Sequence, residues 1–428
     1  MSTTRVSSGR NFLALLSSFL FMFIFSSSVL AATVEIEAIK QEIRNKGARW
    51  QAEETSITKL PVERRLKRVG LIRPLSLPGG AVLEAAKPVA AGTTPANLNY
   101  TCHNNYNYVT PIRDQGDCGS CWAFAATAAL ESQELLGTVG TSCGTPSGLN
   151  LSEETLLSCC GANLCGNCNG GYIDSASNFI QSTGLPSDSC FLYPNYTPQY
   201  QTPPPCSRAG CQSWQSDTSA IKGWQWVATT SPTVNGLKNA LITYGPLVTT
   251  MNVYNDFYSY STGVYSYIGG RGDTYQGGHA VTIVGYDDSI GAFLVKNSWG
   301  ASWGEKGFFW IDYNQIGNPV QFGYYTIAYL GYKPLKNSCS YSISPTSVSV
   351  TYSGGYANVN VTSQSGCAWT AVSNVNWIKV VSGAKGTDDG AVRYYVYPNN
   401  TRTSWIGTLT IAGKTFTVTQ GAKSSSRR

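Results

Sequence analysis

The cysteine content is the feature that most constrains how this chain can fold. The 428 residues include thirteen cysteines, and none of them precedes Cys102. In an exported chain such cysteines form disulfides, because oxidising compartments let the bridges persist. Thirteen is an odd number, so if one thiol stays free the other twelve can form six bridges. The cysteines therefore predict a disulfide-bonded fold with one thiol kept apart.

The N-terminus supplies the expected export signal. Arg5 and Arg10 precede an apolar run from Phe12 to Leu30, which ends at Ala31-Ala32. This pattern predicts a signal peptide over residues 1–31 and a secreted product, extracellular or periplasmic, by bacterial-type export. An uncleaved signal anchor is the alternative, because the run approaches the length of a membrane span. No later run is that apolar, so we expect no stable membrane insertion.

The length predicts two or three structural units. Residues 32–96 contain no cysteine, have apolar residues at helical spacing (Val34, Ile36, Ile39 and Ile43), and end in a connector rich in Pro, Gly, Ala and Thr. Residues 97–333 show a helical pattern over 120–136, a cysteine-dense stretch, and then strand patterns over 247–254, 280–286, 293–297 and 307–313. Helices followed by strands indicate an α+β domain.

The C-terminal region has a different character. Residues 338–422 alternate apolar and polar side chains with frequent turn signals, which predicts an all-β sandwich. Residues 423–428 form a basic tail that is too polar to fold alone. The net charge of +6 is not arranged as a basic stripe interleaved with aromatics. We therefore predict no nucleic-acid partner.

Cys121 is the strongest candidate for a reactive residue. It lies in Gln115-Gly-Asp-Cys-Gly-Ser-Cys-Trp-Ala-Phe124, at the start of the helical pattern. Helix N-termini stabilise a thiolate through free N–H groups and the helix dipole. A thiol nucleophile also needs a base, and the chain has only His103 and His279. His103 lies in a polar, Asn-rich stretch, whereas His279 opens an apolar strand, which makes His279 the candidate base.

Two further residues complete this chemistry. Asn297, in Lys296-Asn-Ser-Trp-Gly300, can accept a hydrogen bond from the base, with Trp299 shielding that bond from water. The side chain of Gln115 and the backbone N–H of Cys121 can donate to an oxyanion. No metal or other cofactor is required by this set.

Two other interpretations use the same cysteines. Cys118-Gly-Ser-Cys121 also fits a thiol-disulfide redox pair, which would bridge these two cysteines to each other. Cys159, Cys160, Cys165 and Cys168 have the spacing of a zinc knuckle, although export argues against a thiolate metal site.

The motif around Cys121, together with Cys168-Asn-Gly-Gly-Tyr172, Gly278-His-Ala-Val281 and Asn297-Ser-Trp-Gly-x-x-Trp-Gly304, resembles the papain and cathepsin family of cysteine peptidases. The resemblance implies a helical left lobe, a β-barrel-like right lobe and an active site in the cleft between them. It implies an enzyme that acts on proteins or peptides, and a monomer. A catalytically inactive binding protein on this fold is a third alternative, disfavoured because all four catalytic residues are present.

The same resemblance assigns supporting roles. It implies disulfides between Cys118 and Cys168 and between Cys159 and Cys206. Gly170 and Gly171 would offer a backbone edge to substrate, Tyr172 would wall the pocket for the second residue before the scissile bond, and Gly278 and Trp299 would also contact substrate. Gly277 and Gly278 are smaller than the residues that many family members have there, so the resemblance does not predict the shape of that pocket or the substrate preference.

The resemblance also suggests how the enzyme is controlled and what it cuts. Residues 32–96 resemble a short propeptide, which in this family lies through the cleft in the reverse direction, although an ordinary helical surface explains the segment as well. The chain lacks a histidine pair to hold a substrate carboxylate, as the occluding loop of cathepsin B does, which favours endopeptidase action.

The C-terminal region resembles the BACON-type immunoglobulin-like domains. Cys367-Ala-Trp369, Asn376-Trp-Ile378 and Thr417-Val-Thr-Gln-Gly421 carry this resemblance. It implies a disulfide between Cys339 and Cys367 and a possible glycan or mucin ligand. Trp369 and Trp377 are equally well explained as core residues of the sandwich.

Overall fold

The computed structural model describes residues 34–73, 94–161, 164–211, 214–270, 273–317, 319–336, 340–363 and 367–424. The predicted signal peptide, most of the connector, Cys339 and most of the basic tail lie outside the described residues. The chain divides into two compact units, Met1–Arg208 with Ser219–Lys333, and Ala209–Thr218 with Pro334–Arg428. Within the described ranges, no helix is long and apolar enough to cross a membrane.

Six helices are described, all in the first unit. They are α1 (residues 34–46), α2 (Val62–Arg65), α3 (Cys121–Gly137), α4 (Glu153–Cys159), α5 (Ile173–Ser182) and α6 (Val234–Tyr244). The helix predicted over 120–136 is confirmed as α3. Ser152 caps α4 by accepting a hydrogen bond from the Thr155 N–H, as expected of serine at this position.

Short strands fill the first part of the chain. They are β1 (Trp50–Ala52), β2 (Asn97–Asn99), β3 (Tyr106–Asn107), β4 (Thr141–Ser142), β5 (Gly166–Asn167) and β6 (Gly170–Gly171). Longer strands follow: β7 (Asp217–Ile221), β8 (Trp224–Ala228), β9 (Leu247–Tyr254), β10 (Tyr260–Tyr265), β11 (Tyr275–Asp287), β12 (Ala292–Lys296), β13 (Phe308–Asp312), β14 (Tyr324–Tyr329) and β15 (Tyr332–Lys336).

One large sheet forms most of the β part of the first unit. In the described part of the chain its order is β1-β10-β13-β12-β11-β9-β14-β8, with β2 also paired to β11. All four strands predicted from the sequence are present. β11 begins earlier than the predicted residue 280, because the Gly277-Gly278 pair stays in the strand through a bulge between Tyr275 and Gly277, where Gly277 has a φ of 145°.

The first unit has two hydrophobic cores. One is built from the sheet and α6 and includes Trp299 and Trp303. The other is built around α3, α4 and α5 and includes Cys121 and Trp122. The alanines of α3 let neighbouring elements approach the helix closely, and Thr282 of β11 donates a hydrogen bond to the Ala125 carbonyl. α3 thus joins the helical core to the sheet.

The segment before the connector also packs on this unit. β1 pairs antiparallel with β10 at the edge of the sheet. Trp50 is almost fully buried beside Tyr260 and Tyr265, and its indole N–H donates to the Ser266 carbonyl over 2.9 Å. The helical spacing from Val34 to Ile43 is confirmed as α1, and α2 follows Pro61, which occupies its N-cap.

The second unit is all β in its described residues from 340 onward. Its strands are β16 (Tyr341–Ser344), β17 (Ser347–Val350), β18 (Gly355–Ser363), β19 (Ala368–Ser373), β20 (Ile378–Ser382), β21 (Lys385–Thr387), β22 (Gly390–Val396), β23 (Trp405–Ile411) and β24 (Lys414–Gln420). They form one sheet in the order β16-β18-β22-β20 and another in the order β17-β24-β23-β19-β21. Both sheets contribute to one core, which includes Trp369 and packs against Trp377.

Candidate active site

Cys121, His279 and Asn297 come together where α3 meets the sheet. Cys121 is the first residue of α3, His279 lies in β11, and Asn297 directly follows β12, the antiparallel neighbour of β11. The Nε2 atom of His279 lies 2.8 Å from the Oδ1 atom of Asn297. The Cys121 Sγ atom accepts a hydrogen bond from the Ala280 N–H over 3.4 Å. The backbone therefore brings the thiol next to the residue that follows the histidine.

The ring of His279 is held from two sides. Its centroid is 4.8 Å from that of the buried Trp299 indole, and Asn297 engages Nε2. The other ring nitrogen, Nδ1, is buried and has no hydrogen-bond partner among the described residues. With Nε2 facing an amide oxygen, Nε2 carries the proton in the neutral ring and Nδ1 is left to accept one.

Three hydrogen bonds hold the backbone N–H and the side-chain amide of Gln115. Its N–H donates to the Ser298 carbonyl over 2.9 Å, and its Oε1 accepts from the Ser298 hydroxyl over 2.7 Å. Its Nε2 donates to the Cys118 carbonyl over 2.8 Å. An amide nitrogen carries two protons, so one donor remains beyond the bond to Cys118. This arrangement leaves Gln115 able to donate to a developing oxyanion.

A disulfide ties the start of α3 to the glycine edge. Cys118 is bonded to Cys168, and the Gly119 N–H donates to the Cys168 carbonyl over 2.8 Å. Gly170 and Gly171 form β6 just beyond, and the half-buried Tyr172 follows them. Because Cys118 is paired away from Cys121, the two do not form the bridge of a redox pair.

The other described cysteines are also paired. The structure joins Cys159 to Cys206, as the resemblance implies, and adds two bridges that the sequence left open, Cys102–Cys143 and Cys160–Cys165. Cys190, Cys211 and Cys367 are disulfide-bonded as well. The predicted partner of Cys367, Cys339, lies outside the described residues. Among the described cysteines Cys121 alone is free, and the four cysteines of the zinc alternative are all in disulfides.

Residues 68–73 of the same chain cover this site. The N–H groups of Gly70 and Leu71 both donate to the Gly278 carbonyl, over 3.1 and 3.0 Å. On the other side, Gly171 donates to the Gly70 carbonyl and accepts from the Ile72 N–H, both over 2.9 Å. These last two bonds make a parallel bridge between Leu71 and Gly171. The covering strand thus occupies the glycine edge and leaves Cys121 and His279 with no exposed surface.

Ion pairs that could not be predicted from the sequence hold the covering strand in place. Arg64 donates to the buried Asp117 carboxylate over 2.7 Å, and Arg68 pairs with Asp114. The Arg68 carbonyl accepts from the Trp299 indole N–H over 2.9 Å. The basic stretch containing these arginines was visible in the sequence. Its acidic partners flank Gln115, and no local pattern links the two regions.

Burial controls the protonation of the covered pair. Desolvation raises the pKa of Cys121 to about 11, against opposing backbone hydrogen bonds led by that of Ala280. Desolvation also lowers the pKa of His279 to about 4, although the hydrogen bond to Asn297 favours the charged ring. Removing water disfavours both the thiolate and the imidazolium. The covered site therefore holds a neutral thiol and a neutral imidazole near pH 7.

A buried ionisable cluster lies beneath Asn297, and the sequence analysis did not identify it. Glu153 and Lys296 line a cavity of about 20 Å³ together with Asn297. Burial, and after it the charge of Glu131, raise the pKa of Glu153 to about 8. Lys296 donates to the Thr110 hydroxyl over 2.7 Å, and burial lowers its pKa. The signal available in the sequence was a set of charged residues within apolar stretches.

Comparisons with known proteins agree with this site. A model described as "Papain family cysteine protease" matches residues 94–327. "Cathepsin B-like cysteine proteinase 3" of Caenorhabditis elegans is 30% identical over 282 residues, which cover 61% of this chain and 74% of that protein. "Cathepsin B-like cysteine proteinase 4" of the same organism is 32% identical over 305 residues, covering 64% and 87%.

Solved structures show the same fold. The chain is similar to "proCathepsin B S9 from Trypanosoma congolense", with a TM-score of 0.55, 21% identity, and coverage of 69% of this chain and 96% of that one. A digestive procathepsin L2 proteinase from Tenebrio molitor gives a TM-score of 0.52 at 24% identity, covering 77% and 95%. Fold and family match together define a cysteine-type peptidase. The chain belongs to the papain family of cysteine proteases.

Proposed function

We propose that this chain is an exported endopeptidase, made as a zymogen, that cleaves peptide bonds with Cys121 as nucleophile and His279 as acid and base. One arrangement carries the proposal. Cys121, the only free thiol among the described residues, lies at the N-terminus of α3 and contacts the backbone N–H of the residue after His279, while Asn297 holds the Nε2 atom of His279. This arrangement supports a thiolate mechanism.

The proposed reaction has two halves. Once the site is open to water, the Cys121 proton passes to His279, and the thiolate attacks the peptide carbonyl. The oxyanion accepts hydrogen bonds from Gln115 and the Cys121 N–H. His279 gives its proton to the leaving amine, which leaves an acyl-enzyme. Water then transfers a proton to His279 as it attacks the thioester, and the carboxylic acid leaves as the thiol is restored.

The direction of residues 68–73 supports the zymogen proposal. They run parallel to Gly171, whereas the proposed substrate adds to this edge antiparallel, as an extended strand. The covering strand therefore occupies substrate positions in the reverse direction and presents no bond in the productive orientation. The pairing of Arg64 and Arg68 with Asp114 and Asp117 adds to this inhibition.

Endopeptidase action is proposed because the sequence has no histidine pair for a substrate carboxylate. Its two histidines are His103 and His279, and His103 lies in the β-turn region before β3, hydrogen-bonded to Tyr106 through the backbone. The two relatives named above are described as cathepsin B-like. The endopeptidase proposal therefore rests on the histidines of this chain and not on the names of its relatives.

The test compares the full chain with Cys121→Ala after activation in mildly acidic, reducing buffer. We expect the native chain to hydrolyse an unstructured protein such as casein at internal bonds, and Cys121→Ala to lose all activity. The disulfides of the variant should be unchanged, as checked by mass spectrometry. Equal hydrolysis by both proteins would refute the mechanism.

Secretion is proposed from the predicted signal peptide and supported by the disulfides. Eight cysteines form the four bridges described above, which suits an oxidising compartment. We also propose that the mature enzyme is a monomer without nucleic-acid partners, as the sequence predicts.

For the second unit we propose a BACON-type, immunoglobulin-like sandwich that binds a glycan or mucin. Trp369 is 5% exposed and belongs to the core, so it does not offer a binding face. A tyrosine row on the outer side of the four-stranded sheet is the better candidate. Tyr356 is 62% exposed, lies opposite Tyr395 with ring centroids 4.7 Å apart, and stacks with Arg393.

Exposed aromatic rings next to hydrogen-bonding side chains suit the flat face of a sugar. The expected result is retention of the full-length Cys121→Ala protein on immobilised mucin, and loss of retention on adding Tyr356→Ala. Tyr352→Ala, which removes a tyrosine that is also exposed, is the matched control and should bind as before. Equal retention of both tyrosine variants would contradict the proposed face.

A further inference from the structure

Arg73, the last residue of the covering strand, contacts three residues from the later part of the first unit. Its guanidinium donates to the Asn252 Oδ1 atom over 2.9 Å and to the Gln321 Oε1 atom. It also lies over the Tyr325 ring, 5.8 Å from the centroid. We call Asn252, Gln321 and Tyr325 the arginine cradle. All three belong to the part of the chain that would remain after the pro-segment leaves.

The protein fixes the orientation of one oxygen atom of the cradle, Oδ1 of Asn252. The Nδ2 atom of Asn252 donates to the Pro319 carbonyl over 2.8 Å, and its backbone N–H donates to the Val320 carbonyl over 2.6 Å. Turning the amide over would place two oxygens against each other, so Oδ1 must face the guanidinium. Asn252 is thus held as an acceptor by the protein itself and does not depend on Arg73 for its orientation.

The backbone at the other two cradle residues is unusual. Gln321 and Tyr325 have φ values of 53° and 51°, in the left-handed region that residues with a Cβ seldom adopt. The Tyr325 N–H is fixed by the Thr229 carbonyl over 2.8 Å. Such conformations cost free energy and concentrate at ligand-binding positions. The two left-handed residues therefore indicate a ligand-binding surface.

The chemistry of the cradle selects for a guanidinium. Its three contacting groups are two amide oxygens and an aromatic ring, and none of them carries a charge. A planar guanidinium can donate to both oxygens and lie against the ring at once, whereas an ammonium is a compact, strongly hydrated charge. The cradle should therefore bind arginine better than lysine.

The cradle lies along the proposed substrate edge. Asn252 in β9 is directly opposite Gly278 in β11, and the Gly278 carbonyl accepts from Leu71. Leu71 is the covering residue opposite Gly171, and Arg73 is two residues farther along the strand. A substrate residue opposite Gly171 is the second before the scissile bond, so the cradle serves the third or fourth.

We propose that the arginine cradle is a substrate subsite that binds an arginine side chain at the third or fourth residue before the scissile bond. The inference rests on the proposed endopeptidase function. In the zymogen Arg73 fills the subsite, and after the pro-segment leaves a substrate arginine takes its place.

The test uses the full chain after activation and fluorogenic peptides with leucine as the second residue before the cleaved bond. The third and fourth positions carry alanine, arginine, lysine or glutamate. We expect kcat/KM to rise about tenfold for arginine over alanine at one of these positions, and less for lysine. Cleavage of the alanine peptide without any preference for arginine would overturn the subsite proposal and leave the endopeptidase proposal standing. Failure to cleave any peptide would overturn the endopeptidase proposal with it.

Two variants of Gln321 sharpen the test. Gln321→Asn shortens the side chain and introduces a residue type that tolerates the left-handed backbone, and it should lower the preference for arginine about threefold or more. Gln321→Glu adds a carboxylate and should raise that preference. Gln199→Asn, at an exposed position on the first unit, is the control and should match the native ratio. A preference that neither Gln321 variant changes would contradict the assignment.

Discussion

At the scale of single residues, the protonation of Cys121 and His279 depends on what covers them. Covering raises the pKa of the thiol to about 11 and lowers that of the imidazole to about 4, in both cases mainly through desolvation. Opening the cleft restores water and with it the charged forms. The same two residues can therefore be inert in the zymogen and reactive in the mature enzyme.

This coupling predicts how pH affects binding of the pro-segment. A histidine with an ordinary pKa near 6.5 in the open site and about 4 in the covered site binds more protons when open. Covering is then fully favourable above pH 6.5 and weakens as the pH falls towards 4. In a Cys121→Ala chain beginning at Thr94, the dissociation constant of a peptide of residues 34–73 should rise by up to about two orders of magnitude over that range.

The matched variant carries His279→Gln as well as Cys121→Ala. Carboxylates also titrate where the pro-segment packs on the rest of the first unit. One of them is Asp256, and burial raises its pKa to about 8. The contribution of His279 is the difference between the two proteins, measured by calorimetry. An identical pH dependence in both would contradict the assignment of this proton to His279.

At the scale of elements, one close approach decides whether the covering strand fits. A Cβ added at Gly70 would lie 2.1 Å from the Gly119 carbonyl oxygen, which is a backbone atom and not the end of a flexible side chain. Gly70→Ala in the peptide of residues 34–73 should therefore weaken its inhibition of the mature enzyme at least about tenfold. The exposed Glu63→Ala peptide is the control, and inhibition constants measured in parallel should separate the two. Equal potency would show that the peptide inhibits without entering the cleft.

Elements with a strong local pattern could be predicted from the sequence, whereas their contacts could not. The β-branched residues of β9 and the alanine-rich run of α3 are local signals, and both elements were found where expected. The Cys102–Cys143 and Cys160–Cys165 bridges depend on chain reversals that no local pattern specifies. The pairing of Arg68 with Asp114, and the cradle around Arg73, likewise join segments far apart in sequence.

The candidate site was predictable for a different reason. A chain with two histidines leaves little choice of base, and Cys121, Asn297 and Gln115 lie in compact motifs. Glu131, Glu153 and Lys296 were missed because a buried charge looks like a surface charge until the fold is known. The sequence also could not show that Gly70 would meet Gly119.

At the scale of the whole molecule, each unit has its own hydrophobic core. A unit with a separate core can be removed without emptying the core of the other. A chain that ends at Lys336 should therefore keep casein hydrolysis within about twofold of the full chain and lose retention on mucin. Parallel assays of the two proteins check both results. Loss of hydrolysis would show that the second unit is required for the peptidase to fold or act.

The central claim is that residues 68–73 keep Cys121 neutral and out of reach. The most direct measurement is the rate at which iodoacetamide alkylates Cys121 at pH 7.5, read by mass spectrometry on one preparation before and after removal of the pro-segment. With a pKa of about 11, roughly one covered thiol in a thousand or fewer is ionised at that pH. We expect alkylation at least about a hundredfold faster after removal. Equal rates would contradict the account.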